Sequence, residues 1–468
     1  DGLIAADDGN LYGTATNGGY YNCGTVFKIS PSGAKTDIYS FAGGSTDGCH
    51  PYARLVKKND GYLYGTTYFG GKNKVGTVFR ISTTGTENTL YSFTGNSDGA
   101  YPRADLIVGT DGYLYGTTEG GGKKNMGTIY QISITGAEKT LYSFNGNDGS
   151  TPSSGLIEDG YSNLYGTTAN GGTYGSGTVF KFSLINNKIT EYSFLGNIDA
   201  HSDGANPSAN LIIANDGNLY GTTTLGGTYN NGTIFKIVPT INSTTESVIY
   251  SFKNASDGSR PASGLIQTLD NTIYGTTEYG GRNNVGTIFK LSSNSIVSPV
   301  YAFESGTDGA YPSTMTLIHN INERDYLYGT TTSGGINNNG IIYRIIPNQE
   351  PVVIVHSFES NFESSGDGGT PNYGLLQAND NNIYGVTQGG GLYNLGTLFK
   401  LTPSGVESVI HSFAGQPNDG ATPSGGLIQD NDGNLYGVTA FGGMKGSGTI
   451  FKVSIDGAES TIYFFNPS

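Results

Sequence analysis

The string Leu11-Tyr12-Gly13-Thr14 returns, with only conservative changes, eight more times along the chain. The later copies centre on Tyr64, Tyr115, Tyr165, Tyr220, Tyr274, Tyr328, Tyr384 and Tyr436, spaced 52, 51, 50, 55, 54, 54, 56 and 52 residues apart. Repeats of about 50 residues belong to solenoids, propellers or arrays. That period outweighs the prior of about three domains that 468 residues would otherwise suggest.

One clean unit, residues 105–144, shows how each repeat is built. It contains Leu106-Ile107-Val108, Leu114-Tyr115-Gly116-Thr117-Thr118, Gly127-Thr128-Ile129-Tyr130-Gln131-Ile132 and Thr140-Leu141-Tyr142-Ser143-Phe144. Each run is rich in β-branched and aromatic residues and is bounded by Gly, Asn, Asp or Ser, which predicts four strands, A to D. No stretch carries a sustained 3.6-residue periodicity, so almost no helix is expected. Neighbouring residues such as Val78 and Phe79 are both large and apolar. A sheet with one wet face would alternate, so both faces must be covered, and radial packing of sheets does this.

The longest connection, from Phe93 to Leu106, is the one able to span about three inter-strand spacings, roughly 14 Å. It therefore joins an outermost strand to the next innermost one, which makes Leu-Ile the inner strand A and Leu-Tyr-Ser-Phe the outer strand D. The expected fold is all-β: a single nine-bladed β-propeller over residues 1–468, four antiparallel strands per blade, blades contiguous in sequence. The blades fall near 2–41, 54–93, 105–144, 155–194, 210–252, 264–303, 316–358, 374–413 and 426–465. A shifted phase would instead use Leu3-Ile4 as a clasp that completes the last blade. The B–C and D–A loops then share one face, the A–B and C–D turns the other. Cys23 and Cys49 both lie on the long-loop face. A disulfide between them is expected, two separate thiols being the alternative.

Composition excludes several classes. The net charge is −14, so the basic footprint of a nucleic-acid binder is absent. No apolar run approaches the roughly 18 residues of a membrane helix. The chain does not begin with Met and shows no signal segment, and it reads as a mature or trimmed product. Its low charge and Asn, Thr, Ser, Gly and Tyr richness suit an extracellular protein. Gly and Pro make up about a fifth of the chain, below the roughly 25–30% of low-complexity sequence.

Between blades the motif Asp-Gly-x-x-Pro occurs eight times, from Asp47–Pro51 to Asp419–Pro423. It reads as a turn: Asp caps, Gly supplies positive φ, Pro fixes φ. Asp98 and Asp308 are weak candidates for Ca²⁺, since one carboxylate per loop is thin for a hard six- to eight-coordinate ion. No other cofactor or metal is expected. The Asn-Asp-Gly turns read as hairpins, and the repeated Tyr as packing between blades. The glycine after that Tyr is expected to make room for a neighbouring blade's ring. His50, His201, His319, His356 and His411 share no motif, and a lone loop His is ordinarily solvated. Lys57, Glu158, Gln267, His319, Gln377 and Gln429 follow strand A and could line a channel mouth.

The order Pro152-Ser-Ser-Gly-Leu-Ile, Leu164-Tyr-Gly-Thr-Thr, Gly171-Gly and Gly177-Thr-Val-Phe-Lys resembles the GloVer tandem repeat of bacterial surface proteins. The Gly-Leu-Ile and Asp-Gly-Asn-Leu-Tyr arrangement also looks like NHL-type propeller repeats. The resemblance implies export and surface display, and it implies no catalytic residues. The expected function is non-enzymatic binding or adhesion: recognition of a glycan or protein through the long-loop face, without nucleic acid or membrane insertion and with self-association open. The candidate residues are Tyr20, Tyr21, Phe69, Tyr174, Tyr229, Tyr279, Arg282, Tyr393 and Phe441, aromatic or cationic groups on loops held by a rigid scaffold. A channel-sited lyase or hydrolase, with His319, Glu323 and Arg324 as the place to look, and a structural assembly subunit are the alternatives.

Overall fold

The computed structural model describes residues 3–30, 34–152, 154–196, 203–207, 211–239, 244–261, 263–319, 325–359, 366–430, 432–454 and 458–465. No helix occurs among them, and none is long and apolar enough to cross a membrane. Each repeat folds as one antiparallel sheet in the order A-B-C-D. In the third repeat these are Ile107–Val108, Leu114–Thr118, Thr128–Ile132 and Glu138–Ser143. The chain is a β-propeller of nine blades with four antiparallel strands in each. The first blade is complete within its own segment, from Ile4–Ala5 to Lys35–Ser40, so no clasp is used there.

The blades divide between two compact units, one over Asp1–Ser30 and Lys35–Ser251, the other chiefly over Phe252–Pro467. In the first unit, Leu3, Leu55, Leu106, Leu156 and Leu211 line one space of about 610 Å³. They come from five different blades, which places strand A innermost in that unit.

Strands B and C are buried on both faces, as their non-alternating sequence requires. Tyr12 is fully buried and packs with Leu63, Phe79 and Ile81 of blade 2. Its hydroxyl donates to Asp8 Oδ2 of its own A–B turn at 2.6 Å, and Tyr64 does the same to Asp60 at 2.6 Å. The repeated Tyr thus joins blades at its ring and closes a hairpin at its hydroxyl. Lys57 pairs with Asp7, and Glu158 accepts from the backbone and hydroxyl of Thr110 at 2.9 Å. Lys57 and Glu158, the last residues of their A strands, therefore link one blade to the one before it.

The glycine after Tyr corrects one expectation. A Cβ on Gly65 would lie 2.7 Å from Phe79 Cζ and 3.1 Å from Leu55. Both groups belong to Gly65's own blade, not to a neighbour: Phe79 stands directly opposite on strand C. The ring leans over the strand because only Gly leaves room, and it then meets Phe41 from the end of blade 1 edge-to-face at 5.0 Å. The same contact recurs at Phe93–Tyr130 (5.1 Å), Phe144–Phe180 (5.2 Å), Phe303–Tyr343 (5.4 Å) and Phe358–Phe399 (5.4 Å).

The crossover aspartates are buried clamps. Asp98 accepts from the Tyr91 hydroxyl at 2.7 Å, from Thr94 N–H at 2.7 Å and from Thr94 Oγ1 at 2.5 Å. Asp308 accepts from Tyr301 at 3.0 Å and from Glu304 N–H at 3.0 Å. These donors give each carboxylate a structural partner set without a cation.

Beside the first clamp, Asp47 and Tyr39, lies Glu87 from the next strand D. Burial, then the Asp47 charge, pushes its carboxyl up to about 7. Such a group binds its proton more tightly folded than unfolded, so stability falls as pH rises from about 4.5 through 7. Glu87→Gln should remove that part of the slope. We expect it to raise stability at pH 8 by about 1 kcal/mol, discounted for partial exposure, and to change little at pH 4. Thermal melts at both pH values check this. An equal shift at the two would contradict it.

Candidate functional site

The crossovers are more ordered than turns. Gly48–Cys49 pairs antiparallel with Phe69–Gly70 of blade 2, and Gly368–Gly369 with Gly389–Gly390 of blade 8. Elsewhere the pairing is a single bridge, Ala100↔Gly120 or Ser259↔Tyr279, or an added edge strand such as Ala310–Pro312. Gly70 permits this approach, because a Cβ there would sit 2.5 Å from the Asp47 carbonyl oxygen.

This pairing forces an unusual backbone before each proline. A residue preceding Pro is normally extended, yet His50, Tyr101, Thr151, Asn206, Arg260, Tyr311, Thr370 and Thr422 all have φ between 53° and 60°. Non-Gly residues rarely adopt this region, and doing so costs on the order of 1 kcal/mol or more. In the first unit the His50 N–H is satisfied by Cys23 O and the Tyr101 N–H by Val75 O, each at 2.7 Å. In the second, Tyr311 bonds Val285 O and Thr422 bonds Leu395 O, again at 2.7 Å. The Cys23–Cys49 disulfide, with Cα atoms 4.4 Å apart, ties the same two loops covalently. None of the eight left-handed residues is buried. Their side chains are therefore presented by a fixed backbone on the long-loop face.

The nine candidate residues separate into two groups. Phe69, Tyr279 and Phe441 precede the Gly-Gly pair and stand beside the crossover. Tyr20, Tyr21, Tyr174, Tyr229, Arg282 and Tyr393 follow it, at the loop tip. There the Tyr20 N–H donates to Ser40 Oγ of strand D at 2.8 Å, so the tips lie over the outer strand. Tyr20 and Tyr21 meet edge-to-face at 4.8 Å, and Arg282 pairs with Glu304 at 3.3 Å. Tyr393 and Leu392 border an open recess of about 540 Å³ with His411 and Asp419.

Around Phe69 the first group gathers further aromatic residues. The Phe69 ring lies 5.8 Å from His50 and 5.8 Å from Tyr101, the left-handed residues on either side of it. Tyr68 stacks on Tyr101 at 5.1 Å and meets Tyr52 edge-to-face at 5.4 Å. Arg103 sits 5.9 Å over Tyr52 and pairs with Glu119 at 3.4 Å. The Tyr68 hydroxyl donates to Glu119 at 3.1 Å, and burial, then the Glu119 charge, holds that hydroxyl above the usual phenol value. The result is a partly exposed aromatic platform with one cation and one carboxylate at its edge, the composition of a binding surface. A smaller version stands in the second unit: Arg260 lies 5.4 Å from the Tyr279 ring, which meets Tyr311 at 5.7 Å.

The sequence pointed to Phe69 and Tyr279 but missed their companions. The x position before each proline would have revealed them, since the repeat keeps Asp, Gly and Pro while that position changes. His319 closes strand A of blade 7, while Glu323, Arg324 and His201 lie outside the described residues. The expectation that the five histidines share no motif is corrected. His356 and His411 each open a His-Ser-Phe string where other D strands carry Tyr. Both are partly buried and face the crossover Asp367 and Asp419.

The repeat model described as "Gloeobacter/Verrucomicrobia repeat" matches residues 1–196, 163–365 and 321–468. No curated protein matches the chain. Among solved structures, a 6-phosphogluconolactonase homologue of Bacteroides fragilis is 18% identical over 76% of this chain and 96% of its own, with a TM-score of 0.41. The virginiamycin B lyase of Staphylococcus aureus is 15% identical over 74% of this chain and 90% of its own, with a TM-score of 0.36. Likeness at this level carries no argument about activity.

Proposed function

This chain belongs to the Gloeobacter/Verrucomicrobia repeat family, and from its loop-face geometry we propose that it is a non-enzymatic, exported binding propeller that recognises a glycan. The observation that carries this reading is the platform of His50, Tyr52, Tyr68, Phe69 and Tyr101, ring centroids 4.8 to 5.8 Å apart. Contiguous aromatic faces suit the apolar C–H face of a sugar ring, and Arg103 and Glu119 supply groups for its hydroxyls. Export is supported by the disulfide, which persists in oxidising compartments, and by the low charge of the chain.

Phe69→Ala combined with Tyr101→Ala is expected to weaken binding by roughly 10- to 100-fold, in line with loss of two aromatic anchors. Phe69 is exposed and Tyr101 partly exposed, and neither belongs to a blade core, so the melting temperature should move little. A glycan array scored with wild type and the double variant tests this. Binding of a protein and of no glycan would move the ligand class, and binding indifferent to the double variant would remove the platform.

A further inference from the structure

At the outer edge of seven blades a strand D residue meets the crossover Asp and, in several of them, a Glu that opens the next strand D. At Tyr39–Asp47–Glu87 and Tyr91–Asp98–Glu138 this set is self-sufficient. Tyr donates to Asp at 2.9 and 2.7 Å, and a threonine two residues after the Glu donates to it: Thr89 at 3.1 Å, Thr140 at 3.0 Å. At blades 7 and 8 two features change together. Tyr becomes His356 or His411, and the threonine no longer serves the Glu. Its position is Val409 in one copy, while in the other Thr461 turns to Asp419 at 3.3 Å. Glu407 Oε1 and Glu459 Oε1 are consequently buried with no hydrogen-bond partner. The two side chains are only 8% and 9% exposed. A buried carboxylate oxygen without a donor is costly, and among the described residues both His copies carry one.

We propose that His356, Asp367 and Glu407 form a binding site for a divalent transition-metal ion of the zinc class.

Three observations support it. First, the donor atoms converge. His356 Nε2 lies 3.1 Å from Asp367 Oδ2 and 3.9 Å from Glu407 Oε2, and the three ligand atoms fall within 4.8 Å of one another. Ligands of a tetrahedral zinc ion stand about 3.3 Å apart, so small side-chain shifts seat the ion. Second, an imidazole with two carboxylates is a mixed nitrogen and oxygen donor set, and a divalent ion would neutralise the two carboxylate charges. The nitrogen donor favours zinc-like ions over calcium or magnesium. Third, the ligands are already oriented. Asp367 is fixed by the Glu359 and Gly368 N–H groups, each at 2.7 Å, and the His356 ring rests edge-to-face on Phe358 at 4.8 Å. The imidazole is 22% exposed, leaving one side for a solvent ligand.

The second cluster, His411, Asp419 and Glu459, also brings its donor atoms within 4.8 Å of one another, but in a different arrangement. His411 offers Nε2 to Asp419 at 2.9 Å and Nδ1 to Glu459 at 3.5 Å. Its ring lies between the two carboxylates as a clamp, so they do not converge on one nitrogen. Substitution at His411 therefore separates the two clusters in the metal count.

The test uses the full chain, stripped with a chelator and titrated calorimetrically with Zn²⁺, with bound metal counted after dialysis. Wild type should retain one Zn²⁺ at this site, and its melting temperature should rise with Zn²⁺. His356→Tyr installs the residue other blades carry and should fold. It should lose that equivalent, with affinity falling by roughly 100-fold or more. Glu407→Gln, which keeps the shape, should weaken it likewise, and His411→Tyr should retain it. Failure of wild type to bind Zn²⁺, or His356→Tyr binding as wild type does, would overturn the proposal.

Discussion

Phe399→Ala is expected to destabilise the second unit by about 3–5 kcal/mol. The ring is fully buried among Ile318, Tyr328, Ile342, Phe358 and Leu375, and it touches both its own blade and the one before. Its removal therefore empties a space that neither sheet can collapse into alone. The packing against Gly385 supplies a sharper test. A Cβ on Gly385 would stand 2.4 Å from Phe399 Cζ and 2.6 Å from Leu375 Cδ2, and overpacking of this kind costs about 1–3 kcal/mol. In the Phe399→Ala background most of that clash is gone. The double variant should be clearly more stable than the sum of the two single losses. Urea denaturation of the four proteins measures the cycle, and strict additivity would show that ring and glycine do not share the space described.

Asp98→Ala is expected to cost about 2–4 kcal/mol. Asp98 is 6% exposed, and its loss strands the Tyr91 hydroxyl and the Thr94 N–H, a turn that holds the end of strand D to the crossover. Asp98→Asn keeps an acceptor and should lose clearly less. A calcium site would behave differently: melting would depend on Ca²⁺, and Asn would be as damaging as Ala. The two substitutions with and without chelator separate a clamp from an ion site.

The blades were legible in the sequence because Leu-Tyr-Gly-Thr is buried on both faces and tolerates little change. Its spacing carried the number of blades, and the long D–A connection carried the order of strands. The orientation of Phe79 over Gly65 was not legible, since spacing cannot tell an opposite residue of the same sheet from one in the next blade. Nor was the left-handed residue before each proline. The local preference of an X-Pro pair is extended, and only pairing with the following B–C loop overrides it. Phe69 and Tyr279 stood out as aromatic loop residues, whereas Tyr52, Tyr68 and Tyr101 became part of the same platform only through that pairing. His356 and His411 were legible in principle. Aligning the D strands on Ser-Phe sets them against Tyr39 and Tyr91, and only the buried, unpartnered oxygens of Glu407 and Glu459 give the substitution its meaning.

The left-handed position also bears on how such a surface can be altered. At His50, Tyr101, Thr151 and Asn206 in one unit, and Arg260, Tyr311, Thr370 and Thr422 in the other, φ is imposed by backbone pairing rather than by the side chain. Side chains as unlike as Arg, Tyr and Thr already occupy it. Exchanging one for another leaves the pairing in place, with the strain greatest for a β-branched residue. A combinatorial library confined to these eight codons would therefore vary the exposed side chains while sparing the folding determinants. The same economy lets gene duplication of a repeat supply a new variable position in a single event.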